Sequence, residues 1–309
     1  MSKNMKVKMT TLMLGISAML ASCGNEDVLQ SENNGEFKAV TITASLPEGM
    51  TTRAVGSTDD SQVVRCYVQM LDEQGNELAD GYSTVVKMDE SIAGKTYTAK
   101  LWMNPTTSEK YTLLFWADSD NSASAPTTLK NVAYNNSGEV VAFAGNLKNQ
   151  GYVEAGINCT LKHAVTRISV NTTTDLSVTD DATDPYTLTL TVPTSFTAYN
   201  VLTGTVAGDA TVNWVYNCPV TTVTGATAAV SKEICHFYVM PDANGGNQDL
   251  QLHYCGELDN PAITLPNAPI NPNFHIIYQG DVAHAGLKQV NISASVDENW
   301  GDGSSTTDF

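Results

Sequence analysis

Short runs in which Val, Ile, Leu, Tyr and Thr alternate with polar residues recur along the chain, separated by Gly, Asn, Asp and Pro. Alternation with period two marks a strand with one buried face, whereas a helix needs apolar positions three and four residues apart. The pattern predicts strands at residues 39–46, 65–71, 111–117, 166–171, 186–192, 236–240, 250–255 and 289–296. It offers no convincing amphipathic helix. Regular short strands joined by turns imply an all-β chain built as a sandwich or barrel. The acidic, turn-rich stretch NTTTDLSVTDDATDP at 171–185 separates the strands into two groups. Two tandem β-sandwich domains are therefore predicted, at 37–171 and 172–309. One long loop within a single sandwich is the alternative.

The N-terminal end follows a different rule. Lys3, Lys6 and Lys8 precede an apolar run at 11–20, which ends in LASC at 20–23. That run is about half the roughly 20 residues of a membrane-spanning helix, and small Ala21 and Ser22 suit a peptidase, so residues 1–22 read as a signal peptide. LASC resembles the lipobox of bacterial lipoproteins, in which the cysteine thiol takes a diacylglyceryl group before cleavage and the new amine is acylated afterwards. The resemblance implies that Cys23 becomes the lipidated first residue of the mature protein and ties it to a membrane. Two or three acyl chains, at about 0.8 kcal/mol per buried methylene, suffice to hold it there. Residues 23–36 contain almost nothing to bury and read as a flexible tether.

Charge narrows the partners. The formal charge is −17, and loss of the three leader lysines leaves −20 on the mature chain. So acidic a surface repels nucleic acid and anionic headgroups, which leaves the lipid as the attachment. The 42% hydrophobic composition is enough for a core in each domain.

Catalytic chemistry is hard to place. GxSxG, HExxH, P-loop, GxGxxG and CxxC signatures are all absent, and no cofactor or resident metal is expected. Asp118 and Asp120 lie in ADSDNSASAP, but Leu129 stands where a calcium loop needs its bidentate Glu. Apart from Cys23 the cysteines are Cys66, Cys159, Cys218, Cys235 and Cys255, an odd number. A hairpin turning at Gly245 sets Cys235 opposite Cys255, which predicts a disulfide between them. A zinc site from Cys235, His236, His253 and Cys255 competes, but strand alternation sends His236 to the other face. Of the four tryptophans, Trp116 follows LLF and belongs in a core, while Trp102 and Trp300 adjoin polar turns and are candidate sugar-stacking surfaces.

Several segments in order resemble the fimbrillin-like (FimA/Mfa-type) lipoproteins of Bacteroidetes, which are subunits or relatives of donor-strand-assembled pili and surface adhesins. They are LASC with Glu26 and Asp27, VTITASL running into MTTRA at 50–54, and RCYVQMLDEQGNEL at 65–78. YTLLFWAD at 111–118, LKHAVTRISV at 161–170 and VNISASVDENW at 290–300 complete the set. The resemblance implies transthyretin-like, Greek-key sandwiches, lipid anchoring in the outer membrane and exposure on the cell surface. It also implies cleavage by a trypsin-like protease between Arg53 and Ala54, departure of the strand ahead of the cut, and entry of a strand from another subunit. That strand would present Val40, Ile42, Ala44 and Leu46 on one face. Only GDGSSTTDF follows Trp300, with no apolar face, so a tip-like acceptor fits the pattern better than a donating stalk subunit, and a non-polymerising surface lipoprotein fits nearly as well. A glycan-binding lipoprotein of a nutrient-uptake system is the alternative, with a host or glycan ligand as its partner.

Overall fold

In a computed structural model the alternating runs are strands, and the runs without alternation are strands buried on both faces. The structure describes residues 37–47, 63–92, 95–106, 108–175, 187–219, 222–242, 245–254, 263–281, 292–298, 300 and 306–308. Among these, the strands of the first half are β1 (Lys38–Ser45), β2 (Arg65–Asp72), β3 (Val86–Lys87), β4 (Asp89–Ile92), β5 (Thr96–Met103), β6 (Tyr111–Asp118), β7 (Val132–Ala133), β8 (Ala142–Gln150), β9 (Ile157–Thr160) and β10 (Lys162–His163). Those of the second half are β11 (Thr166–Thr172), β12 (Thr187–Asn200), β13 (Thr205–Pro219), β14 (Lys232–Val239), β15 (Asn247–Tyr254), β16 (Ile263–Pro269), β17 (His275–Gly280), β18 (Ile292–Asp297) and β19 (Thr306–Asp308).

β6 reads YTLLFWAD and is buried at every position, while β1 reads KAVTITAS and buries every second residue from Val40 on. The difference follows from place. β6 is an inner strand of a sheet ordered β10-β8-β6-β2-β3, which packs on a second sheet ordered β4-β5-β1-β9. Ile42, Leu101, Phe115 and Phe143 fill the space between them, while Trp116 points to the other face of β6, against Tyr199. The remaining strands form two further sheets, β14-β11-β17-β18-β19 and β13-β12-β15-β16, over a core containing Ile168, Leu190, Phe237, Leu252 and Ile276. The all-β sandwich class read from the sequence is the observed one.

Two details differ from the sequence reading. β11, which the boundary at residue 171 would leave in the first domain, pairs with β14 and β17 of the second group. Its alternate residues Ile168 and Val170 enter the second core, so the change of core falls just before Thr166. The hairpin expected between residues 235 and 255 also does not form. β14 pairs with β11, whereas β15 pairs with β12 and β16. Both strands carry an apolar inner face, Phe237 and Val239 on one and Leu250 and Leu252 on the other, and these faces meet across the core.

The long β12–β13 hairpin, longer than the predicted strand at 186–192, runs through Pro193, which cannot donate to a ladder. Beside it the Gln248 side chain takes the partner's role, accepting from Thr194 N at 2.9 Å and donating to Thr194 O at 3.1 Å.

A buried ion pair ties one end of the first sandwich. Arg65 makes a two-pronged contact with Asp118, Nε to Oδ1 at 2.6 Å and Nη2 to Oδ2 at 2.9 Å. The other guanidinium nitrogen donates to the carbonyls of Ala123 and Ser124, both at 2.8 Å. Asp120 accepts from the backbone of Ser122 and Ala123, so the two acids once compared with a calcium loop serve to shape that loop. Removing one member of such a pair leaves a buried charge uncompensated. Asp118→Ala is expected to cost about 3 kcal/mol in urea unfolding and to open the 119–125 loop to proteolysis. A loss below about 1 kcal/mol would mean that the pair is solvated like a surface salt bridge.

Candidate functional site

Strand β1 is the element that the sequence singled out, and its setting is unusual for a segment so near the N-terminal end. It lies inside its sheet, antiparallel to β5 and parallel to β9. Val40, Ile42, Ala44 and Leu46 point into the first core, with exposures of 1%, 0%, 0% and 6%. Burying Val40, Ile42 and Leu46 contributes on the order of 5 to 9 kcal/mol at roughly 1.5 to 3 kcal/mol per side chain. At its start, Phe37 stacks on Tyr82 with centroids 4.8 Å apart, and Lys38 Nζ sits 5.9 Å from the centre of the Tyr152 ring. Beyond Pro47 the chain passes through residues 48–62, and the predicted cleavage residues Arg53 and Ala54 lie outside the described residues. It is described again at Val63, which is buried, and Val64 N donates to Asp118 O at 3.0 Å.

The other sequence candidates are scattered. Cys23 and Cys255 lie outside the described residues. Cys235 is buried in β14 opposite Val170, so the register that paired it with Cys255 does not hold, nor does the register behind the zinc alternative. Trp102 lies on the outer face of β5 across from Ala39, with 36% of its surface exposed. Trp300 is the correction. It is only 6% exposed, with His163 stacked on it at 3.5 Å and Arg167 5.7 Å from its ring centre, so no ring face is left for a sugar.

Around Trp300 the structure gathers a polar cluster that the sequence did not announce. Arg167 of β11 is fully buried, and its Nη2 donates to both carboxylate oxygens of Glu233 of β14, at 3.0 and 3.1 Å. Glu233 also meets His236 Nδ1 at 2.9 Å and accepts from the Ser169 hydroxyl at 2.8 Å. Ser169 Oγ lies 2.8 Å from His275 Nε2. Its single proton goes to the carboxylate, so it accepts from His275, which assigns the proton of the neutral ring to Nε2. Asn273 Oδ1 faces both the backbone nitrogen and Nδ1 of His163, at 3.3 and 3.4 Å. The Ser, His and Glu do not form a nucleophile with its base. Ser169 is buried, and Glu233 binds the serine rather than the far nitrogen of His275. Alternation shows why this cluster exists: Ile168 and Val170 face the second core, so Arg167 and Ser169 must face the other way.

Burial dominates the ionisation of this cluster. Desolvation lowers His163 to about 3 and His275 to about 3, with the Arg167 charge adding to both. Burial alone would push the Glu233 carboxyl up, but the His236 hydrogen bond and the Arg167 charge outweigh it and bring it down to about 2.

Among the described residues the geometry thus defines an all-β arrangement of four sheets around two cores, with β1 built into the interior. The chain matches the model of a family of unknown function, DUF6562, over residues 32–309, and it belongs to that family. No curated protein sequence matches it. Among solved structures, a proposed cell adhesion protein from Bacteroides ovatus superposes with a TM-score of 0.51 at 14% identity, covering 85% of this chain and 98% of that one. Another from Bacteroides uniformis gives 0.49 at 14% identity, with 84% and 97% covered. The tip fimbrial protein Mfa3 from Porphyromonas gingivalis, C-terminally truncated, gives 0.49 at 11% identity, with 85% and 100% covered. The Bacteroides ovatus match establishes a shared fold, in agreement with the architecture that the resemblance to Bacteroidetes fimbrillins implied.

The two histidines set the acid response. Each has a folded value of about 3 against an ordinary 6.5, so the unfolded chain binds more protons between those limits. Their contribution is complete above about pH 6.5 and is lost as pH falls toward 3; Glu233 adds a loss between 4.5 and about 2. The thermal midpoint is expected to fall steadily from pH 7 to pH 4.5. His163→Phe, which keeps a ring against Trp300, should flatten that slope. Equal slopes for the two proteins would show that His163 charges freely in the fold.

Proposed function

We propose that this chain is a surface lipoprotein of fimbrillin type with a structural or adhesive, non-catalytic role. In this reading Cys23 carries the lipid, residues 23–36 tether the body to the outer membrane, and a trypsin-like cut between Arg53 and Ala54 frees β1. The vacated place then accepts a strand from another subunit, making this chain an acceptor in a fimbrial assembly. One observation carries the proposal: an inner strand with three buried side chains, followed at once by buried Leu46, precedes the segment that holds Arg53. Once its covalent link is cut, that strand is held by pairing and burial alone, and its loss leaves two unpaired edges over an apolar bed. The shared fold with a proposed cell adhesion protein of Bacteroides ovatus supports the same class.

A second reading, glycan binding, is favoured only by the exposed Trp102 ring on a threonine-rich sheet face with Thr41, Thr43 and Thr98. Loss of binding on a glycan array after Trp102→Ala would favour it.

Limited trypsin treatment of the mature protein is expected to cut after Arg53, release the fragment that ends there, and start oligomers visible by light scattering. Arg53→Gln should block all three. Cleavage without release of the fragment, or release without association, would contradict strand replacement. Separately, Cys23→Ala is expected to abolish palmitate labelling and move the protein out of the membrane fraction, and unchanged membrane attachment would rule out the lipid anchor.

A further inference from the structure

We infer that the bed beneath β1 selects the strand that occupies it by side-chain size, accepting an extended segment with large, large, small and large apolar residues at alternate positions. The inference rests on the reading that β1 leaves, and it adds what kind of partner strand can replace it.

The code is written in the register. On the core side, Val40 stands opposite Leu101 of β5, Ile42 opposite Ala99, and Ala44 opposite Tyr97. On the other flank Ile42 adjoins Ile157 of β9 and Ala44 adjoins Cys159. Directly opposed residues on one face are the nearest neighbours in a sheet, so a bulky ring such as Tyr97 limits the size of the side chain across from it. Ile42 fits because its β5 neighbour is alanine. Ala44 has the Tyr97 ring on one side and the buried Cys159 thiol on the other.

The two cross-strand neighbours of Ala44 are held in place. The Tyr97 hydroxyl is tied to the Val63 carbonyl at 3.0 Å, which holds the ring in place. Behind Cys159, a Cβ added to Gly145 would lie 2.7 Å from the Cys159 Sγ and 2.8 Å from Leu161 Cδ2, so the thiol packs directly on Gly145 and cannot retreat in that direction. Cys159 and Tyr97 are both buried, and neither has solvent to swing into. A larger residue in place of Ala44 would therefore overpack the site.

A close sequence match to this segment recurs in the chain. Residues 290–296 read VNISASV, against VTITASL at 40–46, with Val, Ile and Ala at the first three alternate positions and Val in place of Leu at the fourth. The described part of that segment is β18, whose Val296 is buried in the second core. A free peptide of that sequence is thus a probe that carries the code without being β1.

The test uses the full mature chain cut after Arg53, with labelled peptides added and binding read by fluorescence anisotropy. A 38–46 peptide and a 290–296 peptide should both bind. The 38–46 peptide with Ala44→Leu should bind on the order of 10-fold more weakly or worse. Equal binding of the Ala44→Leu peptide, or no binding of the 290–296 peptide, overturns the inference while leaving strand replacement intact. Retention of β1 after cleavage overturns both. In the uncut chain, Ala44→Leu should lower the thermal midpoint while Thr41→Leu, on the outer face of the same strand, should not. A tolerated Ala44→Leu removes the size limit whatever the fate of β1.

Discussion

Strand β1 lies between β5 and β9, antiparallel to one and parallel to the other, so a segment from the N-terminal end closes a sheet from within rather than along its edge. Its three inward side chains, with Leu46 just beyond it, complete the first core, and its two rows of backbone groups complete two ladders. Sheet edges are ordinarily protected by charge, shortness or covering loops. Here protection of both neighbouring strands depends on a single eight-residue strand. Everything proposed about assembly comes from that dependence, because the same surfaces that bind β1 are the ones its departure would open.

The rest of the molecule is organised around two cores that do not follow a simple division of the chain. Tyr199, Val201, Tyr238, Met240 and Trp300 come from the later half yet belong to the first core. β7, from the earlier half, pairs with β12. Trp300 is central to this joining: it lies against His163, Tyr238, His275 and Arg167 and covers a charge that water does not reach. A buried guanidinium is tolerated only where its desolvation is offset by an anion and well-placed hydrogen bonds. Glu233 supplies the anion, and Ser169 and His236 satisfy the remaining oxygen positions.

Much of this was legible in the sequence. Short runs of strand-forming residues between turn signals located all eight predicted strands, and at β1 period-two alternation named the inward residues correctly, because a strand has only two faces and a run of apolar residues on one of them must be buried. The burial of Trp116 was readable from its apolar neighbours for the same reason. Pairing was a different matter. Residues 235–255 look like a hairpin because two apolar strands flank a glycine-rich turn, but adjacency in sequence favours a hairpin and a bridge between facing sheets alike.

Alternation and turn residues are local properties, and these the sequence alone determined: an all-β chain, eight of its strands, and the inward face of β1. Which strands lie side by side depends on contacts between residues far apart, and only the tertiary structure decided those. It placed β11 in the second core, sent β14 and β15 to opposite sheets, buried Trp300, and brought Arg167, Glu233, Ser169 and His275 together from three strands. The physical reason is one of range. A side chain's facing direction is set by its own backbone, but its partner is set by the packing of whole sheets.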